Sequence, residues 1–396
     1  MNQRTRPHVV VLGGGYAGLL AAARVARHGA ARVTLVDRRA EFVQRIRLHE
    51  LLAGSAIARF AYAPALARRG VAFAQGYAEG IDVVRQEIQL STNDGLRPLG
   101  YDTLIVAAGS STATGVPGAL EHAVRLDDPA AVARATETLR ETAGRRGSVL
   151  IVGGGLTAIE TAAEIAERLG GLRVILVTSG RFATDYSVVG ETYLRKRLGA
   201  LRVTVHEGQR VTSVEQGRAW RSNGDTVHFD VCIWAGGFTA SPLLRDAGLT
   251  VDEHGRAIVA PTLQVPGNPT LFVAGDSAAV GDRSATIRMG CVSAMPMGVQ
   301  AGENVAALLG GTEPQPHSFG FPGRCISLGR RAGLVQITDR RDQPVERTIN
   351  GLGGAVVKEL ICRMTVETLR GELATGLPLY RWMGGSDWWA QPAPAA

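Results

Sequence analysis

Apolar residues in this chain come in short runs rather than one long block. His8 to Leu12 is a five-residue stretch of mainly β-branched residues, the pattern of a strand buried on both faces. Glycines follow at once, and the Ala-rich segment from Leu19 to Arg27 reads as a helix. A further apolar run, Arg32 to Val36, closes on Asp37. The succession returns later: a strand from Ser148 to Val152, a glycine turn, a helix to about Leu169, and a strand from Arg173 to Val177. Two more strand patterns, Asp102 to Gly109 and Thr270 to Ser277, run into small residues, and a helix is predicted from Gly354 to Arg370. Strand and helix alternating in this way predict an α/β protein with parallel sheets, built on two doubly wound units.

The glycine turns are where these patterns carry chemistry. Gly13, Gly14, Gly15, Tyr16, Ala17 and Gly18 fit the dinucleotide fingerprint G-x-G-x-x-G between a strand and a helix. Gly13 permits the tight turn, Gly15 lets the backbone approach a pyrophosphate, and Gly18 lets the helix pack on the strand. The helix N-terminus then turns unpaired N–H groups toward the phosphates. Asp37, 19 residues beyond Gly18, is placed to accept hydrogen bonds from an adenosine ribose. In the second unit the same duties fall to Gly153, Gly155 and Ala158, since close helix packing asks only for a small residue at the third place. Two units imply two dinucleotides. Aligning them sets Thr178 where the first has Asp37, so the second site lacks the ribose-binding acid. With Ser179 and Arg181 just beyond, both a 2′-phosphate site and ordinary strand-end variation account for this.

Length and composition narrow the class. The 396 residues, 45% hydrophobic, suffice for two or three domains, and the 50 glycines follow no collagen-like period. Lys plus Arg number 43 against 36 acids, for a net charge of +7, and the lysines are Lys196 and Lys358 alone. The arginines are dispersed, with no basic run of nucleic-acid type. Cys232, Cys291, Cys325 and Cys362 lie far apart at no metal-ligand spacing, as expected for reduced thiols and no bound metal. Seven residues before the first strand leave no room for a signal peptide, and no apolar run has transmembrane length, so a cytoplasmic protein is expected.

With the strand through Ala107, Ala108 and Gly109, the strand ending at Gly275 and Asp276, and the segment Asp230 to Gly237 with Trp234 and Gly236, five signatures stand in order. From residue 8 to about 340 the chain resembles the two-dinucleotide-binding-domain flavoproteins, the pyridine nucleotide:disulfide oxidoreductase superfamily, and especially its type II NADH dehydrogenase-like branch. The resemblance implies an FAD domain of residues 1–110 and 255–315, an inserted NAD(P)H domain of 111–254, and a C-terminal interface or cap of 316–396. It implies FAD contacts from the first glycine turn, Asp37, Arg38, Arg45, Ala78, Ala108, Gly109 and Gly275, with Asp276 on the ribityl chain. NADPH or NADH would meet Gly153, Gly155, Ala158, Thr178, Arg181 and Gly236. Glu160 would lie near nicotinamide and flavin, where it is a candidate catalytic acid; placement of a negative charge at a helix N-terminus explains it equally well. His49 is the second candidate, as a proton shuttle or anion ligand beside the flavin.

The chain also departs from the pattern. The stretch Phe42 to Glu50 holds no cysteine where disulfide reductases carry a redox pair, which argues against dithiol chemistry; Cys291 and Cys325 remain a candidate pair. Ser293 to Gln300 replaces the glutamine-rich quinone motif of the type II enzymes. The aromatic tail Tyr380, Arg381, Trp382, Met383, Trp388 and Trp389 fits peripheral contact with a membrane, docking over the site, or a homodimer seam. The resulting expectation is hydride transfer from NAD(P)H to FAD, then to a small-molecule acceptor such as a quinone or quinone-like aromatic. A flavin oxidase or dehydrogenase with a vestigial nicotinamide site, and a non-catalytic flavin/nicotinamide sensor, are the alternatives.

Overall fold

The computed structural model describes residues 6–280 and 287–385. The strand His8–Leu12 lies inside a six-stranded sheet ordered Gln264–Val265, Asn268–Val273, Thr103–Val106, His8–Leu12, Arg32–Asp37, Val71–Gln75. Neighbours run parallel except at the short Gln264–Val265 edge. All five residues of His8–Leu12 are buried, as its unbroken apolar pattern requires for a strand covered on both faces.

A second, five-stranded parallel sheet is ordered Val124–Arg125, Val231–Trp234, Ser148–Val152, Arg173–Val177, Thr204–His206. Its strands fall in the chain between Thr103–Val106 and Asn268–Val273 of the first sheet. The chain therefore crosses between the sheets twice, and the crossings Ser110–Thr112 and Phe238–Ala240 pair antiparallel. Each sheet has a three-stranded antiparallel meander, Tyr77–Gly100 with the first and Val211–His228 with the second, where short polar runs gave no clear strand signal.

The helix Tyr16–His28 after the first glycine turn packs along Cys291–Leu309. Contact is close enough that a side chain on Gly298 would strike the Ala17 backbone, and one on Gly302 would meet Ala21 and Arg24. This accounts physically for the small residues in the segment that departs from the glutamine-rich motif.

Strands Arg324–Ser327, Gly333–Thr338 and Pro344–Asn350 form a C-terminal antiparallel sheet. The 25-residue helix Gly351–Thr375 follows, ending at Gly376 with φ 73°. It starts three residues before the predicted Gly354, which lies in its first turn against the Gly333 backbone, where any side chain would collide. The helix is tied to the first unit by Gln44, whose Nε2 donates to the Cys362 carbonyl at 2.7 Å, and by Arg24, which donates to both Glu372 oxygens at 2.8 and 2.7 Å. Beyond it Tyr380 and Trp382 stack at 6.3 Å and pack on the first unit's core, with the Trp382 indole donating to the Ser318 carbonyl. These two aromatics of the tail thus dock on the protein itself; Trp388 and Trp389 lie outside the described residues. Among the described residues no helix is long and apolar enough to cross a membrane.

Candidate active site

The first glycine turn sits at the C-terminal end of the parallel strands, the usual ligand edge of such sheets. Gly13 has φ 109°, and a side chain there would run into the Ala107 carbonyl; one on Gly18 would run into the Gly13 carbonyl. A Cβ on Gly15 would meet nothing within 4 Å, so the turn is packed from behind and open in front. Asp37 shapes it: its Oδ2 accepts the Gly14 N–H at 2.7 Å and its Oδ1 the Arg39 N–H at 2.8 Å. Tyr62 closes the base, donating its hydroxyl to the Gly14 carbonyl at 2.7 Å. Ala17 is buried against Gly275 and Gly298.

Further along this edge, Asp276 bridges two segments, accepting the Ser110 hydroxyl at 2.7 Å and the Gly290 N–H at 2.8 Å. Arg45 donates one nitrogen to the Ser110 carbonyl and stands over the Phe238 ring, while its Nη2 is buried without a partner. Burial works against its charge, lowering its pKa, and Asp276 and Asp127 oppose that effect. An open glycine cradle, with the unpartnered Arg45 Nη2 near Asp276 on the same sheet edge, fits a large anionic dinucleotide such as FAD. Ala108 is exposed at the strand end beside Gly109, which has φ 73°. Arg38 points to solvent, and Ala78 lies half-buried in the outer meander opposite Leu90.

The second cradle repeats this construction. Gly153 has φ 142° and backs onto the Ala235 carbonyl, Ala158 is fully buried, and nothing approaches Gly155 within 4 Å. Thr178 sits against Gly154 as Asp37 sits against Gly14, so the alignment of the two units holds in space. Arg181 is largely exposed, and its Nη2 donates to both Glu191 oxygens at 2.9 and 2.8 Å. Gly236 lies against Trp234, whose indole donates to the Ala113 carbonyl at 2.7 Å.

Between the two units lies a buried cluster of charges. Glu160, on the helix Leu156–Arg168, accepts the Ser327 N–H at 2.8 Å and pairs with Lys358 at 2.8 Å. Burial works against the Lys358 charge, but Glu160 together with Cys362 and Cys325 raises the ammonium above its ordinary range. Lys358 also donates to the Cys325 carbonyl at 3.1 Å. His49, on the short helix Leu48–Leu52, stands 3.9 Å from Glu160 and 3.9 Å from Glu50. Burial depresses its pKa, and although Glu160 and Glu50 favour the charged ring, Lys358 and Arg330 oppose it. Glu50 is gripped by Arg47 at 3.2 Å and Arg330 at 3.1 Å, and Arg330 reaches Glu164 at 3.1 Å. The structure thus brings Glu160 and His49 together.

Lys358, Ser327 and Arg330 join them from segments that no sequence motif connects, and Glu50 stands beside His49 on the same short helix. One signal existed: in a chain that uses arginine for nearly every positive charge, Lys358 directly follows the apolar run Leu352 to Val357. All four cysteines are free thiols, and burial pushes the pKa of Cys291 up to about 12. A protonated thiol is a poor nucleophile.

Comparison with known proteins agrees with this construction. Residues 7–301 match the pyridine nucleotide-disulphide oxidoreductase family. The chain is 28% identical to a demethylphylloquinone reductase of Synechocystis over 70% of its length and 74% of the relative's. It is 30% identical to a NADH dehydrogenase-like protein of Mycobacterium tuberculosis over 75% and 79%. Among solved structures, the sulfide:quinone oxidoreductase of Aquifex aeolicus shares the fold with a TM-score of 0.79 at 19% identity, covering 92% of both chains. The NDH2 of Plasmodium falciparum does so at 0.78 and 13%, covering 95% of this chain and all of the other. The chain therefore belongs to the pyridine nucleotide-disulphide oxidoreductase family and is an FAD-dependent oxidoreductase that works with NAD(P)H.

Proposed function

We propose that the protein oxidises NAD(P)H and passes the electrons by way of FAD to a quinone or a quinone-like aromatic acceptor. One observation carries the reading: two open cradles, at Gly15 and Gly155, flank a buried Glu160–Lys358 pair, and no cysteine stands in the stretch Phe42 to Glu50. Residues 1–110 and 255–315 would hold FAD, 111–254 the nicotinamide cofactor, and 316–396 would close the site. Bound FAD supplies the group that accepts hydride and hands electrons on. The chain's part is to bind, orient and exclude water. The Gly13–Gly18 turn and Asp37 would receive the adenosine and pyrophosphate portion, Arg45 would offer its unpartnered Nη2, and Asp276 would hold the ribityl chain. Glu160, held by Lys358 and the Ser327 N–H, would border the nicotinamide and the flavin.

A quinone is favoured because a relative is named for demethylphylloquinone reduction and because the helix bearing Lys358 offers an approach. Leu352, Val356, Leu360 and Met364 lie exposed at four-residue spacing along it. A cytoplasmic protein could meet a lipid-borne acceptor through this face. The intact second cradle favours this reading over an oxidase with a vestigial nicotinamide site. The test is NAD(P)H oxidation by the FAD-loaded protein with naphthoquinones and benzoquinones, free and in lipid vesicles. Acceptor-dependent turnover is expected; turnover with oxygen alone, or none with any acceptor, would refute the proposal.

A further inference from the structure

The two units differ in the charge they carry beside the cradle. In the first, the parallel strand Arg32–Asp37 ends on an acid, and the meander that follows has hydroxyls at the end of its middle strand Glu87–Thr92. There Ser91 pairs with the meander's first residue, Tyr77, and Thr92 comes next. In the second, the strand Arg173–Val177 runs into Thr178. The matching place, opposite the meander's first residue Val211 at the end of the middle strand Arg218–Arg221, is held by Arg221. The charge at this end of the sheet has changed sign.

The fold ties Arg221 to Thr178. The Thr178 N–H donates to the His206 carbonyl at 3.0 Å, and the Thr178 carbonyl accepts the Gln209 N–H at 3.0 Å. The Gly180 carbonyl accepts the Gly208 N–H at 3.1 Å, so the segments 178–181 and 206–210 close into one rim. Arg221 backs that rim. Its Nη1 donates to the Gln209 side chain and stands 3.5 Å from His206 Nδ1, and the next residue, Ser222, donates its N–H to the Arg210 carbonyl at 2.8 Å.

This guanidinium is held in place but weakly neutralised. The side chain is 10% exposed, and its Nε is buried without a partner among the described residues. Its carboxylate partner, Asp225 at 3.1 Å, is 62% exposed, where water screens the pair. Gln209 is neutral, and burial, helped by Arg221, holds the His206 ring below its usual pKa. Arg181, nearer in sequence, projects into solvent with both Glu191 oxygens on it.

We propose that Arg221 sets the choice of nicotinamide cofactor, receiving the 2′-phosphate of NADPH at the rim beside Thr178, while Glu191 keeps Arg181 out of that role. This rests on the reading that residues 111–254 hold the nicotinamide cofactor. A planar cation fixed in advance offers a phosphate oriented N–H groups with little ordering left to do. NADH brings a neutral hydroxyl to the same place and gains little from the charge.

The test measures binding of 2′,5′-ADP and 5′-AMP, which differ by the 2′-phosphate alone, to the FAD-loaded protein by titration calorimetry, beside the KM of each cofactor in anaerobic flavin reduction. The wild type should bind 2′,5′-ADP at least about tenfold more tightly than 5′-AMP, the worth of a charged hydrogen bond. Arg221→Gln should erase that difference while 5′-AMP stays within about twofold, and should raise the KM of NADPH far more than that of NADH. Arg221→Lys should keep part of the difference, and Arg181→Gln should not erase it. A wild type that does not distinguish the two ligands, an Arg221→Gln protein that still does, or one that loses both alike overturns the proposal, as does loss of the difference in Arg181→Gln alone. A wild type that binds neither ligand and is reduced by neither cofactor overturns the nicotinamide reading as well.

Discussion

Thr178 is the residue on which we expect cofactor choice to turn. It holds the place of Asp37 against the second cradle, so no carboxylate there repels a 2′-phosphate, and Arg181 lies close by in the chain. The structure adds Glu191, which engages Arg181 with both oxygens and competes with a phosphate for it. NADPH should be used at least as well as NADH. Thr178→Glu should shift the selectivity toward NADH by roughly ten- to a hundredfold, the worth of a charged hydrogen bond, and Glu191→Gln should move it toward NADPH. The ratio of the two cofactors in flavin reduction checks this, and a strong wild-type preference for NADH would contradict it. Glu164 makes a second prediction, this one in pH. Burial raises its pKa to about 7, against the pull of Arg330 and with the help of Glu50. An acid whose folded pKa lies above its unfolded value favours the folded state at low pH, and that contribution is lost as pH rises from about 4.5 to about 7. Above that range the buried charge costs on the order of 3 kcal/mol. Glu164→Gln should therefore stabilise the protein at pH 8 and change little at pH 5, as read from denaturant midpoints. Equal effects at both values would show that Glu164 is not the titrating group.

At the scale of elements, the glycines separate into those that packing requires and those that a ligand requires. Gly298 lies where the helices Tyr16–His28 and Cys291–Leu309 touch, and a side chain there would strike the Ala17 backbone. Gly298→Ala should cost about 1–3 kcal/mol by forcing the helices apart, and it should loosen the first cradle with them. Gly15 has open space in front of it, so Gly15→Val should leave folding intact and yield colourless apoprotein. Thermal unfolding together with the flavin content of the purified variants separates the two cases; a yellow Gly15→Val protein would contradict the assignment of this cradle. These elements were also the legible ones. The strands His8–Leu12, Ser148–Val152 and Arg173–Val177 fall where their apolar runs begin and end, because a strand covered on both faces must be apolar throughout. The meanders and the helix Val188–Ala200 were not legible, since half-exposed elements with weak periodicity resemble loops.

Across the whole molecule, the cradles were readable because each is local, a glycine turn between a strand and its helix. The centre between them was not. Glu160, His49, Ser327 and Lys358 come from four segments, and only the folding of the C-terminal sheet and helix against both units brings them together. Sequence spacing holds no record of such a meeting, and the two candidates that could be named, Glu160 and His49, came from their position beside family signatures rather than from their partners. The central claim is that electrons pass through FAD from a nicotinamide to a quinone. The most direct measurement is an anaerobic titration of the FAD-loaded protein with NAD(P)H, followed spectroscopically, with a quinone then added. The account predicts that one equivalent of NAD(P)H bleaches the flavin absorbance and that the quinone restores it with one equivalent of quinol formed. A flavin that stays yellow with both cofactors, or a bleached one that no quinone reoxidises, would contradict it.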